Sequence, residues 1–228
     1  MKFKGVLVDI DNTIYDYKAS HLIALEKVAQ YCESKFKISR EEINVAYMES
    51  RKSINTELCG TASSHNRLLY FQRMVESMSM NSMSHGLDLY NIYWDAFLEK
   101  MEFLDGAIDV LNVLKKCDVC FVTDLTAHIQ FRKIQKLKLF NYAEFIVTSE
   151  EAGAEKPDPR IFELAMKKIN KNPTEVCMIG DNYEKDVMGA VALGIHTFWL
   201  NRDNKKIAPH ALITEFKEFN DLRGVFDD

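Results

Sequence analysis

The second half of the chain alternates strictly between short apolar runs of strand length and stretches with helical periodicity. This alternation restricts the fold more than any other feature, because it is typical of a parallel sheet with helices on both faces. From residue 105 onward we predict helices over 107–116, 127–137, 160–169 and 185–193, and strands over 119–122, 144–148, 176–179 and 195–200. The sequence therefore predicts an α/β fold with a doubly wound, Rossmann-like core.

A further strand is predicted near the start, separated from the others by a long helical segment. The run Phe3–Val8 is apolar almost throughout, as expected of a strand buried on both faces. Residues 16–100 show only helical periodicity, with helices predicted over about 21–36, 39–55, 66–79 and 87–101, a loop at 57–64 and a break at 80–86. We therefore expect a core of residues 1–15 and 101–228, and an inserted all-α domain of residues 16–100.

Two carboxylates follow the first strand directly. Asp9 lies at its carboxyl end, where open α/β sheets bind ligands, and Asp11 comes two residues later. Because burying two like charges side by side is costly, we expect a cation beside them. A turn or helix cap would explain Asp11, Asn12 and Thr13, but it would leave Asp9 without a partner. A functional interpretation is therefore favoured.

Polar residues also follow the later strands. Thr123 and Asp124 end one strand, Lys156 lies beside two prolines, Asp181 follows the next strand, and Asp186 comes five residues later. Each has an ordinary structural explanation when it is taken alone: a helix N-cap, a surface lysine, a turn or a first-turn acid. Their joint occurrence on successive β/α units is a much stronger signal of function.

Together these residues form a recognisable series. The order Asp9-x-Asp11-x-Thr13, then Thr123, then Lys156-Pro157, then Gly180-Asp181-x-x-x-x-Asp186 resembles the haloacid dehalogenase superfamily of phosphohydrolases. The resemblance covers the whole chain and implies that the helical insertion is an α-helical cap. One departure is that Asp124 stands where many members have asparagine.

The resemblance and the chemistry of the residues imply a mechanism. Asp9 is expected to be the nucleophile that forms an aspartyl-phosphate. Asp11 is expected to act as the acid and then the base, its protonated form being favoured by the neighbouring carboxylate. Thr123 and Lys156 are expected to hold the phosphoryl oxygens, with Asp124 beside them as a further substrate-binding residue.

The same acids suggest a metal ion. Asp9, Asp181 and the backbone carbonyl of Asp11 would form an all-oxygen site suited to Mg²⁺. Asp186 would support it by bonding a metal-bound water or Lys156.

The acidic residues discriminate between several functional classes. The resemblance implies that dehalogenases and phosphonatases lack the second aspartate, so Asp11 argues against both. A phosphatase is favoured over a phosphomutase, which shares the same core residues. A non-catalytic phosphate-binding regulatory protein should have lost the nucleophile or the metal carboxylates, and all are present. A dinucleotide-binding redox enzyme is disfavoured because no G-x-G-x-x-G follows the first strand.

Substrate choice is expected to depend on the helical domain. Arg51, His65 and Arg67 would suit an anionic, hydroxylated substrate such as a sugar or nucleotide phosphate. The alternative is a solvated loop between helices, with Ser64 capping the next one. The aromatic residues at helical spacing are expected to form the core of this domain: Tyr90, Tyr93, Trp94 and Phe97.

Composition excludes other classes of partner. The chain has 228 residues, of which 47% are apolar, and a net charge of −5 without a basic run, so nucleic acid is not an expected partner. It has no apolar stretch of about 20 residues and no signal-peptide pattern, so no membrane span is expected. Its five cysteines show no framework spacing, and Cys117 and Cys120 would point to opposite faces of a strand. We therefore expect a cytoplasmic monomer or homodimer acting on a small phosphorylated molecule.

Overall fold

The computed structural model describes residues 3–226, and the chain forms two compact units. One unit, which we call the core unit, comprises the residues up to Asp16 and those from Glu102 onward. The other, which we call the helical unit, is Tyr17–Met101.

The core unit is built on a six-stranded sheet in which all neighbouring strands are parallel. The strands are β1 (Gly5–Val8), β2 (Asp118–Thr123), β3 (Phe145–Thr148), β4 (Val176–Gly180), β5 (His196–Leu200) and β6 (Ile213–Phe216). Their spatial order is β3-β2-β1-β4-β5-β6. The predicted doubly wound α/β fold is confirmed, although β6 was not predicted.

The strand order reverses beside β1. From β1 the sheet extends through β2 to β3 on one side, and the chain then returns to pair β4 with the other side of β1. Val8 at the end of β1 is in register with Phe121 and Ile179. Such a reversal opens a crevice outside the carboxyl ends of the strands, where ligands bind in this kind of fold. Residues that follow β1, β2 and β4 are therefore brought together.

Four helices make up most of the helical unit: α1 (Tyr17–Phe36), α2 (Arg40–Glu57), α3 (Arg67–Ser77) and α4 (Ser82–Lys100). A capping box of Ser39 and Glu42 begins α2. The break predicted over 80–86 is shorter than expected, because the Asn81 side chain accepts a hydrogen bond from Ser84 N and starts α4 there. Part of the predicted loop is a 3₁₀ helix over Ala62–His65.

Aromatic side chains form the core of the helical unit, as their spacing predicted. Tyr93, Trp94 and Phe97 are buried on α4, and Tyr90 is half-buried with its ring against Trp94. Within residues 3–226, no helix is both long enough and apolar enough to cross a membrane.

The helices of the core unit are α5 (Ala107–Leu114), α6 (Ala127–Leu137), α7 (Ser149–Ala152), α8 (Pro159–Lys168) and α9 (Met188–Ala192). One prediction is wrong in detail: the helix expected over 185–193 begins as a π-helical turn, Tyr183–Val187, before α9. On one face of the sheet, Leu7 and Met178 belong to the same buried cluster as Ile161 and Phe162 of α8. This packing fixes the central strands, whose carboxyl ends position Asp9 and Asp181.

Candidate active site

Three acids, of which Asp9 and Asp186 are buried and Asp181 is half-buried, meet at the carboxyl edge of the sheet. Asp9 follows β1, Asp181 follows β4, and Asp186 lies in the π-helical turn. One oxygen from each can be chosen so that all three lie within 4.8 Å of one another. The hydroxyl of Thr13 joins two of them, lying 2.8 Å from Asp9 Oδ2 and accepting a hydrogen bond from Asp181 N at 3.1 Å.

A single lysine lies among these acids. Lys156 Nζ is 2.5 Å from Asp9 Oδ1 and 2.7 Å from Asp186 Oδ1, and it donates to Val122 O at 3.1 Å. Only 4% of this lysine is exposed. Burial alone would lower its pKa, but Asp186 and Asp9 hold the pKa of Lys156 well above its ordinary value. Lys156 is therefore the buried cation beside Asp9, the first of the two acids next to which the sequence predicted a cation.

The charges in this group do not balance. Three carboxylates face one ammonium, which leaves two negative charges when all four groups are ionised. Burial raises the pKa of Asp9 to about 7, even though Lys156 opposes the rise. Burial and the nearby Asp9 carboxylate raise the pKa of Asp181 to about 6. Buried oxygen ligands with two excess negative charges fit a hard divalent cation.

The backbone near Asp186 is fitted to that side chain. A Cβ atom added at Gly180 would lie 2.5 Å from Asp186 Cβ, closer than real Cβ contacts, so only glycine leaves room for the carboxylate. Asp186 Oδ2 accepts a hydrogen bond from Asn182 N at 2.9 Å. Trp199 Nε1 donates to Asp181 O at 2.9 Å and fixes the start of the same loop.

The Asp11 carboxylate is held separately, by two residues of α6 and by Tyr15. Lys133 Nζ lies 2.6 and 2.7 Å from its two oxygens, Gln130 Nε2 donates to Oδ2 at 3.2 Å, and the Tyr15 hydroxyl donates to Oδ1. Burial would raise the pKa of Asp11, but Lys133 and these hydrogen bonds hold it below its ordinary value. The expectation that protonated Asp11 is favoured is therefore wrong, because Lys133 and the hydrogen bonds outweigh the effect of burial.

Sequence reasoning missed Lys133 and Gln130, yet a signal was present. They lie on the buried face of α6 together with Ile129, Ile134 and Leu137. A lysine at an apolar position of an amphipathic helix is unusual, because lysine is almost never fully buried without a partner. That position alone could have indicated a buried acid opposite it.

Thr123 and Asp124 lie at the end of β2 beside Lys156. Thr123 is fully buried, and Asp124 Oδ1 accepts a hydrogen bond from Lys156 N at 3.0 Å. The other oxygen, Oδ2, lies 2.8 Å from Lys185 Nζ. Asp124, which stands where many members have asparagine, therefore forms an ion pair with Lys185. An asparagine amide carries no charge and could not form this pair.

The three candidates in the helical unit have different surroundings. Arg51 and His65 are half-buried, whereas Arg67 is only 4% exposed. The guanidinium of Arg67 donates to His65 O and to the Tyr17 hydroxyl. It also lies within 6 Å of four ring centres, those of Tyr17, Tyr70, Tyr93 and Trp94. Arg67 is thus an interior residue of this unit rather than part of a solvated loop.

The partners of Arg67 and the cap of α3 define this segment further. Among residues 3–226, no carboxylate forms an ion pair with Arg67, and its Nε has no hydrogen-bond partner. The alternative in which Ser64 caps the next helix is wrong, because Asn66 caps α3 and accepts a hydrogen bond from Leu68 N at 2.9 Å.

Comparison with known proteins identifies the family. A model of the haloacid dehalogenase-like hydrolases matches residues 3–194, so the chain belongs to this family of hydrolases. The predicted membership and the predicted enzyme class are confirmed.

Two curated relatives of this chain are named as phosphatases. The ribulose-1,5-bisphosphate 5-phosphatase of Halopiger xanaduensis is 36% identical over 201 residues, which cover 85% of this chain and 82% of that protein. The phosphoserine phosphatase of Thermus thermophilus is 32% identical over 47% of this chain and 43% of that protein. This chain is a phosphatase of the family.

A solved structure supports the fold independently. A haloacid dehalogenase-family phosphatase from Thermococcus onnurineus matches 99% of this chain and 98% of its own, with a TM-score of 0.75 and 23% identity. At this level of identity the match shows the fold alone.

Proposed function

We propose that this chain is a Mg²⁺-dependent phosphatase that hydrolyses a small phosphorylated metabolite through an aspartyl-phosphate on Asp9. The proposal rests on one observation above all, the convergence of Asp9, Asp181, Asp186 and Lys156 at the carboxyl edge of the sheet. Phosphoryl transfer needs positioning and charge neutralisation more than covalent chemistry, and this group offers both.

In the first step, a carboxylate oxygen of Asp9 attacks phosphorus and the bond to the leaving oxygen breaks. The leaving oxygen takes a proton from Asp11 and departs as an alcohol. Because Lys133 lowers the pKa of Asp11, this protonated form is the minor one in the free protein. Lys156 Nζ and the Thr123 hydroxyl hold the phosphoryl oxygens, and the lysine neutralises part of their charge.

In the second step, water attacks phosphorus of the aspartyl-phosphate. Asp11, now a carboxylate, takes a proton from that water, and the bond between phosphorus and the Asp9 oxygen breaks. Inorganic phosphate leaves and Asp9 regains its carboxylate. The same residue therefore returns to the protonated form that begins the next cycle.

Asp9, Asp181 and the backbone carbonyl of Asp11 would hold the metal ion, with Asp186 supporting the site. When bound, the ion would neutralise charge on the phosphoryl group and keep it aligned with Asp9.

A sugar bisphosphate is the first substrate that we propose to test. The relative from Halopiger xanaduensis is named for a substrate of this kind and is similar to this chain over most of its length. We propose that Arg51, His65 and Arg67, in the helical cap, recognise the part of the substrate beyond the reacting phosphate. The absence of a carboxylate partner for the buried Arg67 among residues 3–226 supports an anionic group as its ligand.

The decisive experiment is a turnover screen with sugar mono- and bisphosphates, nucleoside monophosphates and phosphoserine. Release of inorganic phosphate that requires Mg²⁺ and is lost in Asp9→Asn is the expected result. Conversion of a sugar phosphate to its isomer without phosphate release would instead identify a phosphomutase. Phosphate binding without either product would identify a regulatory protein.

We also propose a cytoplasmic location and a monomeric or homodimeric state. The five cysteines are free thiols, as expected in a reducing compartment. Sedimentation analysis of the purified protein gives the oligomeric state, and fractionation of cells gives the location.

A further inference from the structure

We propose that Lys133 is a positioning residue, which aims the Asp11 carboxylate for both of its proton transfers. This inference rests on the proposed function, because it assigns a role relative to Asp11 in that mechanism. The observation behind it is the contact of both Asp11 oxygens with one buried ammonium, at 2.6 and 2.7 Å.

The two partners come from different parts of the core unit. Asp11 lies in the loop after β1, whereas Lys133 is fully buried in the middle of α6, a regular helix. A loop side chain has several accessible rotamers, and an ion pair with a group on a packed helix selects one of them. Lys133 therefore supplies a rigid reference point for a side chain that its own backbone does not fix.

Neighbouring groups reinforce this orientation. The Tyr15 hydroxyl donates to Asp11 Oδ1, and Gln130 Nε2 donates both to Asp11 Oδ2 and to Asp124 O, at 3.2 and 2.7 Å. Gln130 thereby connects the Asp11 carboxylate to the end of β2. Gln130 and Lys133 thus connect the Asp11 carboxylate to α6 and, through Asp124 O, to the end of β2, and Tyr15 adds a third contact.

Stability alone does not account for this lysine. Replacing a buried ion pair by apolar residues of similar volume is often neutral or stabilising, because the charges lose their hydration. An apolar residue would continue the buried stripe of α6 formed by Ile129, Ile134 and Leu137. A fully buried lysine that contacts the acid and base of the reaction is better explained by a role in orienting that acid.

The role makes a specific kinetic prediction. Without Lys133 the substrate phosphate still binds through Lys156 and Thr123, so KM should change less than threefold. Misplacing a catalytic side chain by about 1 Å costs up to about 100-fold, so kcat should fall about 10- to 100-fold. The loss should be greater for alkyl phosphates, whose leaving oxygen needs a proton, than for 4-nitrophenyl phosphate, whose leaving group does not.

The experiment compares Lys133→Met, Lys133→Arg and the control Lys136→Met, which removes an exposed lysine one turn later on α6. Kinetics are measured with Mg²⁺ on an alkyl phosphate and on 4-nitrophenyl phosphate, together with thermal unfolding. Lys133→Met should lose kcat as stated, Lys133→Arg should recover part of it, and Lys136→Met should match the wild-type protein. A uniform loss on both substrates that follows a lowered unfolding temperature would overturn the proposal, because it indicates a structural role.

A double-mutant cycle tests whether Lys133 acts through Asp11. In an Asp11→Asn background, measured on 4-nitrophenyl phosphate, adding Lys133→Met should cause no further loss. Fully additive losses would show that Lys133 acts elsewhere and would overturn the inference while leaving the proposed function intact. Absence of any turnover by the wild-type protein across the phosphate panel would instead overturn the proposed function, and this inference with it.

Discussion

Lys156 Nζ lies 2.5 Å from Asp9 Oδ1, so the residue proposed to hold the phosphate also contacts the residue proposed to attack it. The lysine keeps a positive charge at the position where negative charge increases during phosphoryl transfer. Burial of both groups strengthens the interaction, since little water screens it.

Asp9→Asn should lower kcat by about 10⁴-fold or more, because an amide cannot form the acyl-phosphate bond. The fold should be retained, since the substitution removes one of three mutually repelling acids and keeps the side-chain shape. Steady-state turnover on 4-nitrophenyl phosphate measures the loss, and circular dichroism checks the fold. Substantial turnover in this variant would falsify the covalent mechanism.

Asp11→Asn should separate the two chemical steps on a substrate with a good leaving group. The first step then proceeds slowly without a proton donor, whereas the second lacks its base and is slower still. Phosphorylated protein should therefore accumulate, as a mass increase of one phosphoryl group on rapid acid quench. If the quenched protein carries no phosphate while turnover continues, Asp11 is not the base.

Metal binding should depend on pH through Asp9 and Asp181. The pKa of Asp9 is raised from 3.8 to about 7 and that of Asp181 to about 6, so the metal-free folded state holds protons that the unfolded chain has released. Their contribution to stability is fully present below the unfolded pKa and is lost as pH rises through the folded values. Mg²⁺ requires the ionised acids, so its affinity and its stabilisation should increase from about pH 5 to pH 8.

Thermal unfolding with and without Mg²⁺ at several pH values measures this dependence. Asp181→Asn should lose the Mg²⁺-induced shift, whereas Asp203→Asn, an exposed acid, should keep it. Ca²⁺ should restore turnover poorly, because its longer and looser coordination misplaces the phosphate. A Mg²⁺ shift that is equal at pH 5 and pH 8 would contradict the titration of these acids.

Gly180→Ala should damage the site without touching a charged residue. The new Cβ would lie 2.5 Å from Asp186 Cβ, so the carboxylate or the strand end must move, at a cost of about 1–3 kcal/mol. We expect a lowered unfolding temperature and a weakened Mg²⁺-induced shift. Gly224→Ala is the matched control, because within residues 3–226 no atom other than those of its chain neighbours lies within 4 Å of its Cβ position. Equal behaviour of the two variants would show that Asp186 has room to adjust.

Arg67→Met should alter substrate preference. We expect KM to rise for a sugar bisphosphate and to stay nearly constant for 4-nitrophenyl phosphate, which has no second anionic group. Methionine retains apolar volume beside the rings of Tyr17, Tyr70 and Trp94, so the helical unit should stay folded. Equal losses on both substrates would indicate a folding defect, and no loss on either would place recognition elsewhere.

The sequence allowed the sheet and the acids to be predicted because their signals are local. β1 is a continuous apolar run, and Asp9 follows it directly. The edge strand β6 was missed because it is short and its central residues, Thr214 and Glu215, are exposed, so it lacks a buried pattern. Pairing with β5 determines its structure, and pairing is not visible in a single sequence.

The environment of Asp11 was missed for a different reason. Its pKa depends on Lys133, which is separated from it by 122 residues in the sequence. A prediction from neighbours in the chain includes the repulsion of Asp9 but omits this attraction. The position of Arg67 inside an aromatic cluster was hidden in the same way, because its rings come from α1, α3 and α4.

The central place of β1 in the sheet has a consequence for biosynthesis. β1 emerges from the ribosome before its partners, β2, which begins at Asp118, and β4, which begins at Val176. Thr13 and Asp181, which share a hydrogen bond, are 168 residues apart in the sequence. The nascent chain therefore carries an apolar, unpaired strand until β2 and β4 have been synthesised, and such a segment is a substrate for chaperones.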